Sequence, residues 1–488
     1  MSLKEKLKNA IINYLNIEVP QGVSIDIKQL LDFEADTFKN KIWYRGRAEE
    51  LEQLYKSIND GIGNSHFWGS VPSKDMKIRK VHTGLPSLIV DVLTDVCTED
   101  LTGVDVSERQ ELWNAIAEEN DFHNLVEKAV KDVFVTGDGA FKLSFDSKIS
   151  QYPIIEFFSA DRVDYDYTRG RITGICFKTK KSIGNSSYIL KELYTKEGIS
   201  YTLETSDGKQ KALSDFEETA HLQNIKNNAH FLAAVPLRFR QSSIYPGRGK
   251  SLFDGKLDNF DSFDEVVAQW MLAVRKGQIK TYIPDVFLPR NVKTGEIMQY
   301  NDFDNDYISI ESDMQQGDNK KITTTQGTIQ HEALLSTYCT VLDLCLQGII
   351  SPSTLGIDVK KLDNAEAQRE KEKTTLYTRN KCVSTLAQCL KQLVKTTLMF
   401  YDNLQNKTYK DVDIDINFGG YANPSFEANI ETVGKAASSG IMSVETQVEE
   451  LYGNDKDAEW KKAEVKRIKA EKGILEADEP AVNIPLNN

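Results

Sequence analysis

The spacing of hydrophobic positions changes several times along this chain, and each change predicts a new kind of element. Up to about Asp60 the pattern is helical, with Leu51, Leu54 and Tyr55 forming an apolar stripe beside Glu49, Glu50 and Glu52. Residues 61–73, with Gly61, Gly63, Gly69 and Pro72, read as a loop. Residues 88–96 follow Pro86 and are rich in Leu, Ile and Val; periodicity alone leaves them a buried helix or a strand. Residues 108–117 and 124–136 read as helices, the second with Leu125, Ala129, Val130, Val133 and Phe134 on one face. Alternation of period two then begins at Gly139, Ile154, Val163 and Ile172. Residues 188–194 and 199–203 predict a hairpin, and Asp207-Gly208 a further turn. Helices followed by a run of strands predict an α+β region with an antiparallel sheet.

From Leu252 the period lengthens again. Phe260, Phe263, Val267, Trp270 and Val274 repeat at 3-4-3-4 spacing, and so do Leu335, Tyr338, Leu342, Cys345 and Ile349. Each segment predicts a helical rod of roughly 30 Å. The stretch 276–327 between them reads as a small α/β-like insert: a strand from Ile279, a turn at Lys293-Thr-Gly-Glu and a strand from Tyr307. Two rods with an insert at the far end make one long hairpin. Narrow seams need partners, supplied either by each other within one subunit or by neighbouring copies in a ring. Pro352 is expected to end the second rod. A loop follows over 351–363, carrying Pro352, Gly356, Lys360 and Lys361. Asp363-Asn-Ala-Glu resembles a capping box and opens a helix to about Asn403. That helix is polar over Glu366 to Lys373 and then seamed by Leu386, Leu390, Leu393, Thr397 and Phe400. Residues 412–418 alternate as a strand; short helices are predicted at 426–437, 443–451 and 459–472, and residues beyond Pro480 read as a disordered tail.

Composition narrows the function. The 488 residues suggest about three domains or one large elongated subunit. The formal net charge is -13, from 60 Lys+Arg against 73 Asp+Glu. A protein that coats nucleic acid by bulk charge is disfavoured, because such binding needs a basic surface to release counterions. A protein that handles DNA without gripping it is not. The N-terminus lacks the apolar core of a signal peptide, and no run of about 18 apolar residues predicts a membrane span. The six cysteines include no C-x-x-C pair, so free, mostly buried thiols in a reducing compartment are expected. Six histidines with no H-x-x-x-H pair make a histidine metal site unexpected.

The motif search yields no catalytic, cofactor or metal residues. Gly247-Arg-Gly-Lys-Ser looks like the end of a phosphate loop, but the position five before Gly249 is Ile244; it reads as a turn before a helix. Asp411, Asp413 and Asp415 share one face of a predicted strand. They read as a solvated face, with a metal-dependent DNA-processing enzyme built on Asp413 and Asp415 as the rival. Asp302-Phe-Asp-Asn-Asp lacks the Gly and Glu of a calcium loop and reads as an exposed acidic loop. The basic stretch from Lys461 to Lys469 is interrupted by Glu464 and reads as a surface helix.

Several degenerate motifs in a fixed order do resemble one family. Arg45-Gly-Arg-Ala-Glu-Glu-Leu, Thr136-Gly-Asp-Gly-Ala-Phe, and Ser159-Ala-Asp-Arg-Val-Asp-Tyr-Asp with Arg171-Ile-Thr-Gly-Ile come first. Gly249-Lys-Ser-Leu-Phe with Leu257-Asp-Asn-Phe-Asp follows. The most telling are Ser351-Pro-Ser-Thr-Leu-Gly, then Asn364-Ala-Glu-Ala and Lys373-Thr-Thr; Gly440-Ile-Met-Ser-Val-Glu-Thr closes the series. Over residues 40 to 475 this order resembles the portal (head-to-tail connector) proteins of tailed bacteriophages, of the type found with long non-contractile tails. Lys250 departs from the family's usual spacing of serine to glycine.

The resemblance implies an α+β portal fold in a ring-shaped homo-oligomer of about twelve copies around a channel. Residues 1–250 would form an α/β wing, with strand 405–420 returning to it. Residues 251–276 and 330–350 would be the stem helices and 277–329 the clip. The tunnel loop would be 351–363, the long kinked helix 364–404, the crown 421–475 and the tail 476–488. Such a ring is made in the host cytoplasm and sits in the virion at one capsid vertex. It meets major capsid and scaffolding proteins, docks the terminase packaging ATPase, passes double-stranded DNA, and later binds head-completion or adaptor proteins. The resemblance implies no enzyme activity, no cofactor and no membrane. Lys360 and Lys361 are candidate tunnel-loop contacts to DNA phosphates, or else solvated loop lysines. Tyr282, Arg290, Asp304 and Tyr307 are candidates for the clip docking face, and the ten seam residues for stem packing. Another virion structural protein, such as a baseplate component, is the remaining rival.

Overall fold

The computed structural model describes residues 33–61, 68, 80–183, 186–205, 208–216, 219–227, 230–284, 294, 307–310, 323–357, 365–419, 426–452, 458–471 and 473. The chain divides into two units, Met1–Asn417 and Phe418–Asn488.

In the first unit, helices α1 (Phe33–Arg45) and α2 (Ala48–Gly61) bury Ile42, Trp43, Leu51 and Tyr55. Helix α3 (Leu85–Thr98) resolves the ambiguity at 88–96. Pro86 lies in the first turn, where its missing N–H costs nothing. Its buried positions pair up every fourth residue: Leu85 and Pro86, Ile89 and Val90, Leu93 and Thr94, Cys97 and Thr98. Two of these are threonines, which disguises the stripe in the sequence. Their hydroxyls donate to Val90 O at 2.7 Å and Thr94 O at 2.9 Å, so they are buried without losing a hydrogen bond.

Strand β1 (Leu101–Val106) was not foreseen, since it is short and interrupted by Gly103. Helices α4 (Gln110–Glu119) and α5 (Phe122–Thr136) follow, α5 burying Ala129, Val130, Val133 and Phe134 as its pattern predicts. The strand-rich stretch begins with β2 (Gly139–Ser144), β3 (Ile154–Ser159), β4 (Val163–Thr168) and β5 (Arg171–Ile183). It continues with β6 (Ser186–Thr195), β7 (Gly198–Thr205), β8 (Gln210–Lys211), β9 (Ile225–Lys226) and β10 (Ala234–Leu237). They build two antiparallel sheets, ordered β10-β2-β3 and β4-β5-β6-β7-β8, with β9 also on β7. The predicted hairpin is β6–β7, in register from Tyr188↔Thr205 to Tyr194↔Ile199. Strands β4 and β5 turn at Arg169 (φ 52°) and Gly170 (φ 75°), the paired left-handed conformation that matches strand twist. Phe158, Phe177 and Tyr194 stack edge to face in the core at about 5 Å.

The rest of this unit comprises α6 (Leu257–Lys276), β11 (Ile279–Pro284), β12 (Tyr307–Ile310), β13 (Thr323–Gln326), α7 (His331–Leu346), α8 (Ala365–Leu404) and β14 (Ile414–Phe418). The 40 residues of α8 bury Leu386, Leu390, Leu393 and Thr397, as their seam predicts, and pack on α3 and β10. Strand β14 pairs with β1. At the far end of α8, Arg109 forms a bidentate pair with Asp402 at 2.7 and 2.8 Å.

Two expectations need correcting. Helix α7 ends at Leu346, six residues before Pro352, because Gly348 takes a left-handed conformation (φ 75°) just past the cap. Ile349 therefore lies in the following turn, still buried, and not on the rod. Strand β13 extends the insert beyond the two foreseen strands. The Lys293 turn apart from Thr294, the capping box at Asp363, the acidic loop at Asp302 and the tail beyond Pro480 lie outside the described residues.

The second unit holds α9 (Phe426–Ser438), α10 (Val444–Tyr452) and α11 (Ala458–Glu471), with α10 packed on both others. Tyr452 and Trp460 meet edge to face at 5.0 Å. Lys461 pairs with Glu449 at 2.9 Å and Lys469 with Glu445 at 2.5 Å, which accounts for the basic stretch as a surface helix.

A tight backbone contact in the first unit joins Gly137 to Gly249. A Cβ on Gly249 would run into the Gly137 carbonyl and the Asp138 side chain. Gly249→Ala is expected to lower unfolding stability by roughly 1–3 kcal/mol, while Gly103→Ala, whose Cβ meets only open space, stays within about 0.5 kcal/mol. Denaturant midpoints of the two variants check the contrast.

Candidate functional site

The predicted hairpin is present: α6 and α7 pack along each other, with the β12-β11-β13 sheet joining their far ends. Its base is tied by polar contacts. Lys256 Nζ donates to Leu344 O (2.7 Å) and Gln347 O (3.1 Å), and Asn259 Nδ2 donates to Leu344 O (3.2 Å), satisfying carbonyls at the end of α7. Above the base, Tyr338 lies between Phe263 (5.1 Å) and Trp270 (5.8 Å). Phe260, Phe263, Leu342, Cys345 and Ile349 are all buried within the single chain. Of the two partners foreseen for the seams, the chain itself supplies one over this lower half.

Burial falls away towards the far end. Val267, Trp270 and Tyr338 are half-buried, whereas Val274 is 48 % and Leu335 44 % exposed. Met271 (42 %) is exposed on the same outer stretch of α6, whereas Leu344 (46 %) is exposed at the base. The helices still approach closely at the tip, where a Cβ on Gly277 would strike Ile329. A cleft of about 570 Å³ opens there, with Val266, Ala273, Ile329 and Leu334 among its walls.

What fixes α6 to the rest of its unit escaped the sequence reading. Asp261 and Asp264 lie one turn apart on α6, both buried. Asp261 accepts from the Trp68 backbone N–H (2.6 Å) and Tyr55 Oη (3.3 Å). Asp264 faces His82 Nδ1 (2.8 Å) and accepts from Thr83 N (3.0 Å) and Thr83 Oγ1 (2.8 Å). Burial, then the Asp261 charge and its hydrogen bond, push the Tyr55 hydroxyl far above its ordinary range and keep it a donor. The signal was present as two carboxylates beside Phe260 and Phe263, inside an apolar stripe where solvated charges do not belong.

At the far end β11 is the central strand, parallel to β12 and antiparallel to β13. Tyr282 is half-buried opposite Ile308 and Thr323, and Tyr307 pairs with Thr281, so these two docking candidates fall on adjacent strands. Arg290 and Asp304 lie outside the described residues, as do Lys360 and Lys361. The part of the 351–363 loop that is described is pinned by hydroxyls. Thr375 Oγ1, fully buried on α8, accepts from Ser351 N (2.9 Å) and contacts Thr354 Oγ1 (3.0 Å); Ser351 Oγ contacts those of Ser353 and Thr354.

The phosphate-loop and metal motifs resolve into structural roles. Gly249 N, which would face a phosphate, donates to buried Asp138 at 2.6 Å. Arg248 donates to Ala160 O and Val163 O and lies 3.9 Å over the Phe33 ring. Burial raises the Asp138 carboxyl, with Arg248 opposing. Asp411 precedes β14 and pairs with Lys395 at 2.7 Å; Asp413 lends its backbone to Ser107; Asp415 alone is within the strand. Among the described residues no three His, Cys, Asp or Glu side chains are grouped to hold a metal, and no helix is long and apolar enough to cross a membrane.

A family model described as phage portal protein, SPP1 Gp6-like, matches residues 37–474. No curated protein matches the chain. Among solved structures, a chain of the virion of a native gene transfer agent particle is similar at a TM-score of 0.40 and 9 % identity, covering 94 % of this chain and 98 % of that one. A chain of the neck of such a particle, computed with C12 symmetry, is similar at a TM-score of 0.39 and 8 % identity, covering 79 % and 91 %. Likenesses this slight carry no argument. On the anchoring of α6, Asp264→Ala leaves three donors around His82 and Thr83 without their acceptor and is expected to lower stability by roughly 2–3 kcal/mol. Asp258→Ala, exposed in the first turn of α6, should cost no more than about 1 kcal/mol. Thermal or urea unfolding of the two variants measures the difference.

Proposed function

This chain belongs to the SPP1 Gp6-like phage portal protein family, a family of structural virion proteins, and from that premise we propose that it forms the ring through which double-stranded DNA passes at one capsid vertex. The observation that carries this reading is the unfinished burial of the α6–α7 hairpin. Its lower half is largely satisfied within the chain, while Met271, Val274 and Leu335 towards the far end leave apolar surface in water. In a closed head-to-tail ring of about twelve copies, each hairpin packs against the next and covers this surface. The hairpin is then the stem, and the β11–β13 sheet, which carries Tyr282 and Tyr307 on adjacent strands, is the clip that receives the packaging ATPase and later an adaptor.

The charge supports a conduit and not a clamp. Every phosphate neutralised by a fixed cation adds affinity through released counterions, so a uniformly basic lining would stall moving DNA. The chain carries a net charge of -13, and many of its cations face carboxylates of the same chain. Lys360 and Lys361 then serve as the few transient phosphate contacts at the tunnel loop.

Electron-microscope class averages of the purified protein, with a mass count by native mass spectrometry, test the scheme. Rings with a central hole are expected; a monomer or small dimer without one would overturn it. The double variant Val274→Glu with Leu335→Glu places like charges on the shared surface. It should shift the ring towards monomers while leaving far-ultraviolet circular dichroism unchanged, since both positions are exposed within the subunit.

A further inference from the structure

The outer half of the α6–α7 hairpin has two unlike sides. On one side lies the cleft of about 570 Å³, lined by Val266, Ala273 and Lys276 of α6 and by Leu334 and Thr337 of α7. The opposite side carries a ridge. Tyr338 and Leu342 mark the line on α7 that faces α6. At 3.6 residues per turn, Leu334 and Thr337 fall roughly 60–120° to one side of that line, and Leu335 and Glu332 fall roughly 40–100° to the other. The same count on α6 puts Met271 across the Phe263–Trp270 line from Val266 and Ala273. Leu335 is 44 % and Met271 42 % exposed. An apolar hollow and an apolar ridge therefore sit at the same end of one hairpin, back to back.

Each side also carries a charge at the tip, and the two charges are opposite. Lys276 lies in the last turn of α6, on the rim of the cleft. Glu332 lies in the first turn of α7, three residues before Leu335 and on the same flank. Both side chains are exposed, and neither has an ion-pair partner among the described residues. The helical count sets them on opposite sides of the hairpin, so they complement each other between copies and not within one.

We propose that the cleft is the seat of a second copy of this chain: Leu335 of one copy enters the cleft of the next, and Glu332 of the first reaches Lys276 on its rim. The proposal rests on the ring reading and adds to it the two faces that meet. A head-to-tail ring needs two different surfaces on every subunit that fit each other, whereas a surface that matched itself would stop at a dimer. The hollow and the ridge, with a cation on one and an anion on the other, are such a pair. The apolar contact supplies adhesion. The ion pair at its edge supplies register, because a charge at the margin of an interface selects and steers more than it binds.

The test reverses the two charges in the full-length chain. Lys276→Glu and Glu332→Lys are made singly, together in one chain, and as a co-expressed mixture of the two single variants. Native mass spectrometry counts rings, and circular dichroism checks the fold, which should be unchanged because both positions are exposed. Each single variant sets like charges across every contact and should raise the protein concentration needed for half-assembly by about tenfold or more. In the mixture, every contact between unlike subunits again joins opposite charges. Rings holding the two variants in equal number should therefore return, as rings should for the double variant. Thr337→Trp fills the cleft and should block assembly. Rings from the single variants or from Thr337→Trp at the wild-type concentration would overturn the proposal and leave the ring reading standing, with the cleft open to some other partner. Rescue in the double variant but not in the mixture would make the pair internal to one chain and overturn it as well, and so would rescue in neither. A wild-type chain that forms no rings would overturn both the proposal and the ring reading.

Discussion

The placement of the hairpin depends on two buried carboxylates. Asp261 and Asp264 each meet more than one donor from the segment around residues 55 to 83. A buried carboxylate with its acceptor positions filled tolerates little displacement, because any shift leaves charge unsolvated in a low-dielectric site. Helix α6 is therefore held at a defined angle and depth. Everything beyond it follows from that anchor: the aromatic contacts of Phe263 and Trp270 with Tyr338, the line taken by α7, and the sheet at the far end.

From this anchor the chain runs outward through a gradient of burial. At the base, polar clamps and a filled seam make the hairpin self-sufficient. Further out the helices offer one another too little surface, and apolar side chains meet water. A monomer gains nothing from this arrangement, whereas a subunit whose outer half is completed by identical neighbours does. Under the proposed ring the two readings of the seams would be complementary: the lower half of each is used inside the subunit, and the upper half would be free for contact between subunits.

Charge is organised in the same spirit. Arg109, Lys142, Arg248 and Arg379 are buried or half-buried cations of the first unit, and each is paired with a carboxylate. These cations hold helices and sheets together and are not on offer to phosphates. A count of basic residues overstates what nucleic acid would meet, and the acidic balance of the whole chain understates how much of its basic character is structural.

The sequence by itself determined the elements whose signals are local. The α6 and α8 seams, the β6–β7 hairpin and the surface character of α11 could all be read from residues within a few turns of one another, because helix and strand periods are properties of the backbone. So could the order of motifs that resembles a portal protein. Tertiary structure decided what depends on distant partners. Strand β1 acquires its meaning only from β14, about three hundred residues away, and α3 shows its stripe only once Thr94 and Thr98 are recognised as buried with satisfied hydroxyls. The carboxylates of α6 and the Gly137–Gly249 contact belong to the same class. A single side chain in the sequence carries no record of its long-range neighbours, and burial, pairing and reactivity are properties of the pair.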